Sequence, residues 1–146
     1  MSHFSWDDTR DRLGVVEMDD THREFVALAA ALEACPDTEF AEGFKALMNH
    51  TRAHFAAEEE LMVKSGFSAL GEHAGEHQRV LGELAQFARG LGRGRVFLVR
   101  EYIRNGLPEW FALHLTTMDA ALAAHLNKVR AEGQSISLAR NTLPVL

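Results

Sequence analysis

The sequence predicts an all-α protein, an antiparallel up-down four-helix bundle with an N-terminal arm and a C-terminal tail. Three observations carry that prediction. Apolar residues recur at the three- and four-residue spacing of helices. Short connections punctuated by Pro and Gly separate the helical stretches, which makes consecutive helices antiparallel neighbours. No stretch alternates apolar and polar residues as a half-buried strand would. A chain of 146 residues suits one domain with one core. The whole of 1–146 is therefore read as a single domain: an arm over 1–18, the bundle over 19–131 and a tail over 132–146.

The arm carries Trp6, Leu13, Val15, Val16 and Met18 as apolar anchors, and Gly14 punctuates it. A first helix is expected to open near Asp19 or Asp20, whose carboxylates can cap free amides. Its apolar positions are Phe25, Leu28, Ala29 and Leu32. Cys35-Pro36 ends it, because a residue before proline is pushed out of the helical region. Asp37 or Thr38 is expected to cap a second helix running to about Ser65, where Gly66 offers a left-handed stop. Ser68 is the expected cap of a third helix through Leu91, and Gly92-Arg93-Gly94 is the next turn.

The fourth helical region spans about Arg95 to Ala131. Asn105-Gly106-Leu107-Pro108 interrupts it. Inside a helix Pro108 cannot donate to Arg104, at a cost of roughly 3 kcal/mol. A kinked helix is expected rather than two independent ones. From Gly133 onward no helical period is expected, and Leu138, Leu143, Val145 and Leu146 are candidates to dock on the bundle.

Composition narrows the partners. A formal charge of −6 argues against nucleic acid and anionic membrane. The longest uncharged apolar run is too short to span a bilayer, and the N-terminus lacks the features of a secretory signal. The single cysteine, Cys35, excludes an internal disulfide framework and a Cys-rich zinc site, and fits a reduced, cytoplasmic setting.

One pattern carries chemistry. His22, His54-x-x-x-Glu58, His73-x-x-x-His77 and His114-x-x-x-x-Asp119 fall on separate predicted helices. Residues four apart share a helix face, about 40° and about 6 Å from each other, so each four-residue pair can converge on metal. His114 and Asp119 lie about 140° apart on an ideal helix, so both point inward only if the helix distorts there, as a π-type turn would allow. Buried without partners, each such group costs roughly 1–3 kcal/mol. Imidazole with carboxylate suits iron, zinc, copper or manganese. If both carboxylates and one oxide or hydroxide bridge two metals, three histidines saturate one metal. The remaining two leave a vacancy on the other, which is a design for one small ligand.

The ordered set Gly14-Val15 with Asp19-x-x-His22, His54-Phe55-Ala-Ala-Glu58-Glu59-x-Leu61-Met62, Gly66-Phe67 with His73-x-x-x-His77, and Trp110-x-x-x-His114-Leu115-x-x-x-Asp119 resembles bacterial hemerythrins. That resemblance covers most of the chain. It implies a helical bundle that binds dioxygen reversibly at a non-haem di-iron centre, for oxygen storage, delivery or sensing. It implies two iron ions bridged by oxide or hydroxide and by Glu58 and Asp119. By position, His73, His77 and His114 would hold the saturated iron, and His22 and His54 the iron with the vacancy. No catalytic residue is expected and the chain is not read as an enzyme. Dioxygen is the expected partner, and no protein partner follows from the sequence.

Candidate liners of the ligand pocket are Phe25, Phe55, Met62 and Phe111. His50 is read not as a ligand but as a residue supporting one, a core residue or a surface residue, His3 as incidental, and His125 as lying on the helix surface or at the bundle end. Glu59 and Glu60 are read as a solvated face, and Trp110 either walls the pocket or packs the core. Competing functions are a di-iron enzyme acting on peroxide or nitric oxide, and an oxygen-sensing interaction module. The absence of Glu-x-x-His pairs weighs against the first, and the absence of an output domain against the second.

Overall fold

The computed structural model describes residues 3–142, and side chains over residues 3–133. A one-turn helix, α1 (Asp8–Asp11), lies in the arm. The bundle helices are α2 (Val16–Ala34), α3 (Asp37–Ser65), α4 (Leu70–Gly92) and a last helical run. That run comprises α5 (Val96–Glu101), a π turn at Tyr102–Gly106, α6 (Leu107–His114), a second π turn at Leu115–Asp119, and α7 (Ala120–Thr142). α2 packs on α3, α3 on α4, and α4 on α5, while the last run returns against α2 and α3. No strand occurs among the described residues. The all-α bundle predicted from the sequence is the observed architecture.

The helix ends differ from expectation in ways that can be traced. α2 opens about a turn early, at Val16, with no side-chain cap. Asp19 does bind free amides, but those of the preceding chain: Leu13 N–H and Gly14 N–H donate to its two oxygens at 2.8 and 3.1 Å. Gly14 makes this turn possible with φ +84°. Asp19 thus fastens the arm to the helix instead of starting it. α3 ends at Ser65 as expected, with Gly66 left-handed at φ +68°. Asp37 sits inside the first turn rather than capping it, and α4 begins at Leu70 with no cap from Ser68.

The last run stays right-handed helical through every junction, so Pro108 is absorbed within one distorted helix. The device is the first π turn. Leu107 N–H reaches back five residues to Tyr102 O, and Pro108 follows in the opening turn of α6, where a missing N–H is tolerated. The expected loss of helical structure at Gly133 is corrected, because α7 continues to Thr142. One glycine costs about 1 kcal/mol, too little to stop a helix with no proline before Pro144. The proposed docking of Leu138, Leu143, Val145 and Leu146 concerns side chains outside the described residues.

The core has two parts. The larger contains Phe25, Phe40, Phe44, Leu47, Phe55, Leu84, Val99, Ile103, Leu107 and Phe111. The smaller contains Val15, Met18, Met62, Leu122, Ala123 and Leu126. Each bundle helix crosses from one part to the other, and the buried polar residues lie at the crossing. On α2, His22 stands between Met18 and Phe25. On α3, Glu58 stands between Phe55 and Met62. On α4, His73 and His77 stand between Leu70 and Val80. On the last run, Asp119 stands between Leu115 and Leu122. A polar layer therefore cuts the apolar interior in two.

Candidate metal centre

All seven residues singled out from the sequence meet in that layer, and all are buried: His22, His54, Glu58, His73, His77, His114 and Asp119. Their positions follow from helix geometry. His54 and Glu58 are four apart on α3, with His54 Nε2 and Glu58 Oε2 2.6 Å apart. His73 and His77 share a face of α4. His114 and Asp119 meet across the second π turn, where Ala120 N–H bonds to Leu115 O, five residues back. The widened turn brings residues five apart onto one face, and His114 Nε2 lies 3.2 Å from Asp119 Oδ1.

The two carboxylates divide the histidines between them. Glu58 Oε1 faces His73 Nε2 at 3.4 Å and His77 Nε2 at 3.2 Å. Asp119 Oδ1 faces His73 Nε2 at 3.1 Å as well as His114. On the other side, Glu58 Oε2 faces His22 Nε2 at 3.1 Å and His54 Nε2, and Asp119 Oδ2 faces His22 Nε2 at 3.1 Å. Glu58 Oε1 and Asp119 Oδ1 together therefore address three imidazoles, and Glu58 Oε2 and Asp119 Oδ2 together address two.

Most of these contacts are not hydrogen bonds. Nε2 of His73, His77 and His114, Oε1 of Glu58 and both oxygens of Asp119 are buried without a hydrogen-bond partner among the described residues. Each such atom costs about 1–3 kcal/mol if nothing satisfies it. Five imidazole nitrogens and two carboxylates form a donor set matched to first-row metals such as iron. The residues present therefore fit a pair of cations.

Charge points the same way. Burial would depress the His22 imidazole, but Asp119 and Glu58 outweigh it and raise its pKa to about 9. Burial opposes and the same carboxylates raise His73, also to about 9. Burial dominates at His77 and lowers it. Burial and the Glu58 charge push the Asp119 carboxyl up, yet the close imidazoles of His114, His22 and His73 hold it below the ordinary carboxylate range. Burial likewise opposes ionisation of Glu58, and the His54 charge with contacts from His22, His54 and His73 holds it well below. Two ionised carboxylates in an apolar interior call for positive charge. Protons supply it in the chain alone, and cations can replace them.

The rings are oriented by aromatic neighbours. No protein group accepts from any of the five Nδ1 atoms among the described residues, although Glu59 comes within 3.8 Å of His77 Nδ1. Instead Phe55 stacks on His77 with centroids 3.8 Å apart, and Trp110 stacks on His114 at 4.7 Å. Phe111 meets His22 edge-on at 5.8 Å, Phe25 meets His54 at 6.3 Å and Phe67 meets His73 at 6.5 Å. Trp110 is itself pinned by donating Nε1–H to Glu76 at 2.9 Å.

Of the candidate liners, Phe25 and Phe111 stack on each other at 4.9 Å beside His22 and His54. Phe55 stacks on His77 and also lies 5.3 Å from the His54 ring, so it borders both sides, and Met62 belongs to the smaller apolar cluster beyond the layer. His50 flanks the site, its ring 5.9 Å from His54 and its Nε2 3.2 Å from Thr21 O. His125 Nε2 lies 2.9 Å from Ser65 O at the bundle end. His3 is not incidental, since its backbone N–H donates to Glu33 and its Nδ1 contacts the same carboxylate. Glu59 is half-buried, which corrects the expectation of a fully solvated face, whereas Glu60 is exposed. Sequence reasoning missed the partnership of Phe67 with His73 and the role of Glu76. The spacing Trp110-x-x-x-His114 was the available signal for the stack on His114.

Comparison with known proteins agrees with this geometry. The family model described as the hemerythrin HHE cation binding domain matches residues 13–127. A bacteriohemerythrin of Ralstonia nicotianae is 32% identical over 114 residues, covering 78% of this chain and 82% of that protein. A bacteriohemerythrin of Stenotrophomonas maltophilia is 26% identical over 143 residues, covering 92% of each. Among solved structures, a crystallised point mutant of a hemerythrin superposes with a TM-score of 0.79 at 22% identity, over 86% of this chain and 98% of the other. That last likeness speaks for the fold.

Proposed function

The chain belongs to the hemerythrin family, and from that premise we propose that it binds dioxygen reversibly at a non-haem di-iron centre held by His22, His54, Glu58, His73, His77, His114 and Asp119. Bound there, two ferrous ions would supply the two electrons that reversible dioxygen capture draws on. The observation that supports the reading is the division of both carboxylates, with Glu58 Oε1 and Asp119 Oδ1 between them facing His73, His77 and His114, and Glu58 Oε2 and Asp119 Oδ2 facing His22 and His54. Glu58 and Asp119 would bridge, His73, His77 and His114 would complete one side, and the side with two imidazoles would keep room for a small ligand.

The chain's own residues perform three tasks in this reading. Their Nε2 atoms and carboxylates replace water around the cations. The aromatic contacts fix ring orientation before any cation arrives. Phe25 and Phe111 keep the two-histidine side apolar, which limits the water and protons that would displace a bound ligand. Histidine-rich ligation favours binding over oxygen activation, so the chain is read as a binder and not an enzyme. The unpaired Cys35 fits the cytoplasmic placement that accompanies this reading, and the chain is taken as one domain. No described helix is long and apolar enough to cross a membrane.

Metal analysis with optical spectra under nitrogen, air and vacuum tests the reading. About two irons per chain are expected, with a visible absorption that appears in air and vanishes under vacuum. Irreversible oxidation without that absorption would exclude reversible binding, and turnover of peroxide or nitric oxide would favour the enzyme reading.

A further inference from the structure

We propose that the N-terminal arm gates the access of small ligands to the His22/His54 side of the centre, with Phe4 as the plug. The inference rests on the ligand-binding reading above and concerns the route by which a ligand arrives. A cavity of about 350 Å³ separates the arm from the last helical run. His3, Ser5 and Arg10 line it from the arm and are exposed, so it opens to solvent. Pro108, Phe111 and Leu115 form its inner wall. Phe111 is also the ring that meets His22, and it stacks on Phe25, the neighbour of His54. One aromatic layer therefore separates this cavity from the two-histidine side.

Phe4 seals that layer. It is only 4% exposed, although both its described neighbours, His3 and Ser5, are exposed. Its ring meets Phe25 edge-on at 5.8 Å and Phe111 at 6.4 Å. Polar contacts at the surface flank it: His3 with Glu33, and Arg10 Nη2–H donating to Ser5 O at 3.1 Å. Such contacts are individually weak. The start of the arm is thus held over the cavity by one buried ring and a polar latch, while Trp6 against the core and Asp19 fix the arm further along, so that a local lift of residues 3–5 exposes Phe25 and Phe111 together. At the opposite end of the bundle the route is closed by the second apolar cluster, to which Met18, Met62 and Leu122 belong.

The test uses the full iron-loaded chain with azide as the probe. A gate changes association and dissociation rates together and leaves the equilibrium affinity alone, whereas a packing role changes affinity or iron content. Phe4→Ala is expected to speed azide association and dissociation roughly tenfold each, with Kd and iron content preserved. Phe4→Trp is expected to slow both. Glu33→Gln, which loosens the latch without touching the aromatic layer, is expected to shift both rates in the same direction as Phe4→Ala. Rates indistinguishable from those of the unsubstituted chain, or a change in Kd at constant association rate, would overturn the gate. Crystals of the same chain under xenon are expected to hold the gas beside Phe111, and an empty cavity there would also overturn it. Neither readout needs reversible oxygen binding. A chain with gated azide kinetics but no reversible oxygen absorption would refute the proposed function and leave the gate standing.

Discussion

The Phe55 ring lies flat on the His77 imidazole, with centroids 3.8 Å apart and planes 1° from parallel. Among the described residues nothing accepts a hydrogen bond from His77 Nδ1, so this stack is the main restraint on the ring. Phe55→Ala should cost about 3–5 kcal/mol in cavity and transfer terms and also release the ring. Phe55→Leu should recover most of the stability but not the restraint. Both variants are expected to hold iron less tightly, measured by chelator competition. Unchanged affinity in Phe55→Leu would mean that the stack contributes packing alone.

Glu58 touches four of the five histidines, two through each oxygen. Glu58→Ala should therefore empty both halves of the site together, whereas His54→Ala should weaken the two-histidine half first. His54→Ala is also expected to lower the melting temperature, because its buried partners lose their satisfaction. Stoichiometric metal analysis across the two variants checks this order of loss.

The second π turn accommodates one extra residue so that His114 and Asp119 share a face. Deleting Thr116, an exposed residue within that turn, should convert it to a regular α turn and leave the pair four apart. Leu122, Ala123 and Leu126 should keep facing the core. The deletion is thus expected to fold and to keep its metal, by circular dichroism and metal content, while inserting a residue beside Thr116 should abolish binding. An unfolded deletion variant would contradict the view that the turn exists to align these two ligands.

At Gly106 an added Cβ would lie 2.9 Å from Tyr102 Cδ1, and Tyr102 is stacked on Phe87 at 4.1 Å. Gly106→Ala should cost about 1–3 kcal/mol. In contrast, nothing lies within 4 Å of a Cβ at Gly82, an exposed position on α4. Gly82→Ala should stabilise by about 1 kcal/mol. Denaturant midpoints of the pair give opposite signs if the close approach at Tyr102 is real.

His22 and His73 are raised from 6.5 to about 9 in the folded, metal-free chain. A group raised on folding contributes stability fully present below its unfolded value and lost as pH climbs through the folded one. Metal-free protein should therefore lose melting temperature between about pH 6.5 and pH 9. Glu58 and Asp119, both lowered, give stability present above ordinary carboxylate values and lost on acidification. Iron-loaded protein should be insensitive over the alkaline limb, because the same nitrogens are already engaged. A flat metal-free profile in that window would contradict the protonation pattern.

Much of this was legible in the sequence, for physical reasons that differ by residue. The spacing His54-x-x-x-Glu58 places both groups on one face of any regular helix, so their meeting needed no structure. The spacing of His114 and Asp119 did not fit a regular helix, and that misfit itself pointed to a π turn. Pro108 signalled a distortion but not its form, because a π turn and a simple kink serve a missing N–H equally well. Helix starts were less readable. Asp19 has the right chemistry to cap, and only the path of the arm determines that it binds Leu13 and Gly14. The arm's burial of Phe4 had no periodic signal, since that contact joins residues far apart in the chain. The helical continuation past Gly133 was missed because a single weak helix former was read as a stop.

The polar layer that splits the core has a consequence for how the molecule comes apart. The end holding Val15, Met18, Met62, Leu122, Ala123 and Leu126 is the smaller cluster, and none of these buried residues is aromatic. It is joined to the aromatic-rich remainder through the histidine and carboxylate layer. That end should therefore behave as its own cooperative unit, opening before the rest and exchanging its amide hydrogens first once the cations leave. Amide protection along α2 would then break in steps, with Met18 on one side of the boundary and Phe25 on the other.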